Sequence, residues 1–242
     1  MQKQIRQQPR PWWRTALAFM AIVAVTVVAS VPYSTHAAIT NSLHNGNFEA
    51  GFYTQPGCGS EGYEGQVGNG WNCFTNGRAA RYGFYADAWA PVVSEGQYSQ
   101  LIEINTWGVP NADNDRYAGI YQTLPVMPGA EYELSLRGMI RTTNMQGDLW
   151  RYQVQVGHLY GHNTDWRDVR NWQDVGWYTY YPRTEPGAFS EYKTVIKPGK
   201  GTDRLTIFVR VWKKWGITDE EINVNLDSIT LVNLGVQKPK MR

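Results

Sequence analysis

Beyond the first forty residues the chain is written in short alternating runs, and this feature limits its fold more than any other. In EYELSLRGMIR, residues 131–141, one set of positions is Tyr132, Leu134, Leu136, Gly138 and Ile140, and the other is Glu133, Ser135, Arg137, Met139 and Arg141. In DRLTIFVRVWKK, Leu205, Ile207, Val209 and Val211 alternate with Thr206, Phe208, Arg210 and Trp212. In WRYQVQVGH, Tyr152, Val154 and Val156 alternate with Arg151, Gln153 and Gln155. A period of two sends the two sets to opposite sides of a pleated strand. Similar runs place strands at about 43–49, 80–86, 99–105, 117–124, 131–141, 150–158, 189–196, 203–213 and 223–234. Turn-forming segments such as MPGAE, KPGKGTD and GVPNADND separate them. Some nine strands without a helical period predict an all-β sandwich of the jelly-roll kind.

The N-terminus departs from this pattern. MQKQIRQQPRPWWR is basic, ALAFMAIVAVTVVASV is apolar, and PYSTHAA ends in small residues. That is the layout of a secretory signal peptide, with cleavage after Ala37 or Ala38. Residues 1–37 are therefore expected to leave, and 38–242 to form one domain at the cell surface or outside the cell. An uncleaved segment would instead anchor the chain in a membrane. Cleavage removes Lys3, Arg6, Arg10 and Arg14 and no acidic residue, so 23 basic side chains fall to 19 against 21 acidic ones, net −2. A mildly acidic chain gives no electrostatic case for nucleic acid. Cys58 and Cys73 are the chain's two cysteines, and in an oxidising compartment they are expected to form a disulfide across a Gly-rich loop.

The polar sets on the alternating strands carry the first functional signal. Arg137, Arg141, Gln153, Gln155 and Arg210 are planar multi-donor groups, accompanied by Phe208 and Trp212, where an ordinary surface would mix Lys with Glu. If these strands share a sheet, their outer face is a shelf of hydrogen-bond forks beside rings, suited to polyhydroxylated ligands. Cross-strand pairing on an unremarkable surface would give the same residues. A second signal is the segment GHNTDWRDVRNWQDVGWYTYYPRTEPG, about thirty residues between two strands. Loops of that length are usually functional or disordered, and disordered segments are poor in rings. Its Trp172 and Trp177 are expected to be divided between plugging the sandwich and lining a ligand cleft.

Four segments together resemble the CenC-like carbohydrate-binding modules of families 4, 9 and 22: LHNGNFEAGF, the GNGW turn at 68–71, DRYAGIYQTLPVMPGAEYELSLRG, and the closing VNLDSITLVNL. The resemblance spans most of residues 43–234 and implies a galactose-binding-like jelly roll that binds glycans on a groove across one sheet. It also implies a structural calcium ion held through Asn47, Glu49 and Asp227, with carbonyls or water completing the shell. Many members of the family carry Asp where this chain has Asn47, which lowers the charge of the site. The Trp-rich insertion is a further departure, so the family's substrates do not transfer.

Enzyme motifs are lacking: there is no G-x-S-x-G elbow, H-E-x-x-H helix, P-loop or dinucleotide fingerprint. His158 and His162, near Asp165, sit four apart at a strand end rather than on a helix, and read as structural or surface residues. Glu103 and Glu133 would be a glycosidase pair only if they faced one cleft. The expectation is a secreted, non-catalytic, glycan-binding module without cofactor chemistry. The alternatives are an extracellular structural protein that self-assembles through its aromatic loop into a sheath, filament or surface layer, and a glycan-cleaving enzyme.

Overall fold

The computed structural model describes residues 41–242 except 78, 111–113, 146–150, 215–218 and 237–242. The expected signal peptide and its cleavage site lie outside the described residues. In chain order the strands are β1 (Phe52–Thr54), β2 (Gln66–Gly68), β3 (Asn72–Thr75), β4 (Arg81–Asp87), β5 (Ser99–Asn105), β6 (Arg116–Pro125), β7 (Glu131–Thr142), β8 (Tyr152–Tyr160), β9 (Gln173–Asp174), β10 (Tyr180–Pro182), β11 (Ser190–Ile196), β12 (Arg204–Lys213) and β13 (Glu221–Gly235). Two single turns of 3₁₀ helix, Ala90–Val92 and Trp166–Asp168, interrupt the loops.

The strands form two packed sheets of a jelly-roll β-sandwich, and β1 with β2 makes a separate ribbon. One sheet runs β10-β7-β13-β5-β4, with β11 also on β7; the other runs β3-β6-β12-β8-β9. Successive strands β5 to β8 alternate between the sheets, as do β11 to β13. The apolar half of each alternating run faces inward, and Leu134, Leu136, Ile140, Val154, Ile207, Val209, Val211, Val224 and Leu226 are all at most 1% exposed. At roughly 1.5–3 kcal/mol per fully buried aliphatic side chain, this inner layer supplies the main drive for folding.

Eight of the nine expected strands appear within two residues of their expected bounds. The exception is 43–49, which is a series of turns. Asn45 and Phe48 have φ of 51° and 61°, left-handed values that no continuous strand accommodates. The short strands β1, β2, β3, β9 and β10 were not expected; at two to four residues they are too brief to show a period. The Cys58–Cys73 disulfide is formed and ties the loop before β2 to β3. No helix among the described residues is long and apolar enough to cross a membrane.

Candidate functional site

β8 and β12 are neighbours, and their registry places Arg210 opposite Gln155 and Trp212 opposite Gln153. On the other side of β12, Trp212 faces Tyr117 and Phe208 faces Tyr121, both from β6. Period-two geometry puts all of these on the outer face of the β12 sheet. The expectation that β7 belongs to the same shelf is corrected: β7 pairs with β13, β10 and β11 in the other sheet, so Arg137 and Arg141 point from the opposite side of the sandwich. Arg137 lies against the Phe189 ring, its guanidinium carbon 5.7 Å from the centroid.

The polar residues of this face are roofed by the chain's own loop. Arg210, Gln153 and Gln155 are 8%, 6% and 6% exposed. Arg210 Nε donates to Gln155 Oε1 at 2.7 Å, and Gln155 Nε2 donates to Gln153 Oε1 at 3.2 Å. Above and below the guanidinium stand Trp172 and Tyr117, their centroids 3.9 and 4.4 Å from its carbon. Burial lowers the Arg210 pKa to about 10, with Tyr117 and Asp115 opposing the shift, so its charge persists at neutral pH. Gly157 makes room for the loop: a Cβ there would meet Val169 at 2.6 Å and the Trp172 ring at 3.0 Å. The two tryptophans singled out in the loop therefore do different things. Trp172 covers Arg210 and stands edge-on to Phe208, 6.2 Å between centroids. Trp177 is 4% exposed within the main core, over Gly138, where a Cβ would come within 2.5 Å of its ring.

What remains open is a row of rings at the edge of this face. Trp212 lies 5.7 Å from Tyr117, Tyr117 5.8 Å from Trp166, and Trp166 stacks on Phe74 at 5.2 Å. Trp212, Tyr117 and Trp166 are all half-buried. A cleft of about 560 Å³ opens beside Tyr117 and Trp166, with Asn76, Asn114, Asp115 and Arg167 also lining it; Trp212 continues the row against Tyr117, away from the cleft. Trp166 is set at its rim by the 3₁₀ turn, whose entry Asp165 secures by accepting from the Arg167 amide at 3.0 Å. Trp212 Nε1 is buried and has no hydrogen-bond partner. Neither Tyr117 nor Trp166 was singled out in the sequence. The alternation of Tyr117, Gly119 and Tyr121 within β6 was the available signal for the first.

Of the three positions expected to hold calcium, Glu49 and Asp227 bond to the loop between the Ala90–Val92 turn and β5, and Asn47 bonds to Glu49. Asp227, fully buried where β13 shifts register against β7, accepts from the Ser94 and Glu95 amides through Oδ2 at 2.7 and 3.0 Å and from Ser228 through Oδ1 at 2.6 Å. Burial raises its pKa to about 6 despite these donors. Glu49 Oε1 accepts from the Gln97 and Tyr98 amides, each at 2.8 Å, and Asn47 Oδ1 accepts from the Glu49 amide at 3.4 Å. Glu49 and Asp227 thus hold residues 94–98 through backbone amides, with the oxygens that a calcium ion would otherwise share.

Glu103 and Glu133 do not share a cleft. Glu103 faces Asn223 of β13, which faces Arg141 near one end of β7, whereas Glu133 lies near the other end. Asn105 Nδ2 bridges Glu103 to a different carboxylate, Glu221, donating to the two at 3.2 and 3.1 Å. His158 stands edge-on to Tyr160, and His162 is exposed. No group of three or more His, Cys, Asp or Glu side chains among the described residues is arranged to hold a metal.

No family model and no curated protein matches the chain. Among solved structures it is similar to TmCBM61 in complex with β-1,4-galactotriose, with 15% identity, 80% of this chain and 99% of that one covered, and a TM-score of 0.42. It is similar to a CBM4 module, with 11% identity, 79% and 99% coverage and a TM-score of 0.39. It is also similar to the N-terminal CBM22-1–CBM22-2 tandem domain of Paenibacillus barcinonensis Xyn10C, with 12% identity, 68% and 46% coverage and a TM-score of 0.39. With each of these TM-scores below 0.5, the likeness to carbohydrate-binding modules does not reach ligand or activity.

Proposed function

We propose that this protein is a secreted, non-catalytic module that binds a glycan chain at the edge of the β12 sheet. The observation that carries the reading is the half-buried row Trp212–Tyr117–Trp166, whose Tyr117 and Trp166 border a cleft of about 560 Å³ with polar lining. Ring faces take the C–H side of a pyranose, while the polar side chains of Asn114, Asp115 and Arg167 line the cleft where its hydroxyls would lie.

Arg210, Gln153, Gln155 and Trp172 act here as supports. Arg210, held by Gln155 and Trp172, packs against the Tyr117 and Trp212 rings, and rings held in advance lower the ordering cost of binding. Arg137, Arg141 and Trp177 have no part in this site. The disulfide supports an oxidising, extracellular setting. Calcium held through Asn47, Glu49 and Asp227 would serve stability alone.

A glycan array followed by titration of Trp212→Ala and Trp166→Ala tests the reading. Loss of binding with unchanged melting temperature supports it, and unchanged affinity in both variants removes the row from the site. Sedimentation at rising concentration separates it from assembly through the aromatic loop, whose Trp166, Trp172 and Trp177 are all buried or half-buried.

A further inference from the structure

The outer face of the β13 sheet carries its own cleft, of about 380 Å³, on the side of the sandwich opposite the Trp212 row. Tyr85, Glu103, Arg141, Arg183 and Asn223 line it. Its two guanidinium groups are already matched. Arg183 pairs with Glu221, which Asn223 Nδ2 also holds at 2.6 Å. Arg141 lies 3.6 Å from Asp87 and donates to Asn225 Oδ1 and to the Arg183 carbonyl, each at 2.8 Å.

Glu103 is different. Its residue is 7% exposed, and it is bonded only by neutral groups among the described residues, Asn105 Nδ2 at 3.2 Å and the Tyr85 hydroxyl. Burial, and then Glu221 across Asn105, push its pKa up, against the pull of Asn105, Tyr85 and Arg183. Arg183 is itself paired with Glu221, so the three carboxylates Asp87, Glu103 and Glu221 outnumber the two guanidinium groups, and a ligand that brings a cation is favoured. Two further observations point to a hydroxylated ligand. Arg141, 93% buried in its side chain and part of the cleft wall, keeps an Nε–H without an acceptor. The Trp89 ring, 40% exposed, rests 5.3 Å from the guanidinium of Arg141, which lines the cleft.

We propose that this cleft is a second saccharide site, selective for a sugar with a free amine, such as the glucosamine units of a de-acetylated chitin chain. The ammonium pairs with Glu103, ring hydroxyls meet the Arg141 and Asn223 donors, and the pyranose face lies toward Trp89. A uronate would add charge to Asp87, Glu103 and Glu221, and an N-acetyl group brings no cation. The site does not depend on the Trp212 face. With both occupied, the module would bridge two chains, gaining avidity from the second contact.

Binding needs Glu103 ionised and the sugar amine protonated. Affinity therefore falls as pH drops through the raised Glu103 value, and falls again as the amine deprotonates. The charged and titratable groups facing Glu103 are Tyr85 and Asp87 from β4, Glu221 from β13, Arg141 from β7 and Arg183 after β10. Each basic group among them is held by a carboxylate, leaving Glu103 to set the acid limb.

Titration of glucosamine hexamer, N-acetylglucosamine hexamer and cellohexaose into the Trp212→Ala protein isolates this cleft from the other face. The glucosamine hexamer is expected to bind, and Glu103→Gln in the same background to weaken it about tenfold or more, the cost of truncating a desolvated charge pair. Loss of all binding in Trp212→Ala, equal affinity for the uncharged hexamers, or an unchanged Glu103→Gln would overturn the proposal. The first of these would leave the Trp212 site intact. Should Glu103→Gln not fold, the pH profile of Trp212→Ala decides: an acid-side loss for the glucosamine hexamer supports the cleft, and a flat profile contradicts it.

Discussion

The guanidinium carbon of Arg210 lies 3.9 Å from the centroid of the Trp172 ring, close enough for the indole to lid the cation. This contact joins the long loop to the sheet face. A desolvated cation–π contact contributes about 2 kcal/mol, and the edge contact with Phe208 adds to it. Trp172→Ala is expected to destabilise the fold by roughly 2–4 kcal/mol, in the range for aromatic truncations in well-packed sites. It should also open the segment around Trp172 to protease. Chemical denaturation and limited proteolysis read both, and a variant as stable and resistant as the wild type would show that the loop is held elsewhere.

The Cys58–Cys73 crosslink closes a span of 15 residues. Loss of such a loop closure costs ~3 kcal/mol in the chain-entropy model. Cys58→Ser with Cys73→Ser is expected to lower the denaturation midpoint accordingly, with the outer-face rings undisturbed in near-ultraviolet circular dichroism. An unchanged midpoint would mean that the Gly-rich loop is ordered without the bond.

Lys213 continues the inward set of β12 and is 0% exposed, with burial lowering its pKa to about 8 against the opposing pull of Glu220. The folded state therefore releases its proton before the unfolded state does, and stability rises with pH between about 8 and the onset of tyrosine ionisation near ~10. Lys213→Met is expected to flatten that limb and to be neutral or stabilising at pH 7. A wild-type melting temperature that does not rise across this window would contradict the burial argument.

The architecture was legible because alternation survives in long strands. Leu205 to Val211 and Leu134 to Ile140 declare their inner sides at sight. The period says which way a side chain points and nothing about which strand lies next to it, so Arg141 of β7 and Arg210 of β12 read alike although they occupy different sheets. The segment around Asn45 and Phe48 failed as a strand because a left-handed φ at a phenylalanine has no sequence signature. Trp166 was missed for a related reason: a single 3₁₀ turn, fixed by Asp165, decides that it rather than Trp172 reaches the cleft.

Glu49 and Asp227 clasp the same loop from two directions. Calcium added to chelator-treated protein is expected to raise the melting temperature by several degrees, as binding to the folded state alone does. The increment should vanish in Asp227→Asn. No shift in the wild type would show that the backbone amides alone complete these carboxylates.

The central claim is that Trp212, Tyr117 and Trp166 form the platform on which a sugar chain lies. Calorimetric titration of the strongest array ligand into wild type and Trp212→Ala, at matched melting temperatures, tests it most directly. An affinity at least about tenfold weaker in the variant, equivalent to some 1.4 kcal/mol, is the expected result; equal affinities would contradict the account.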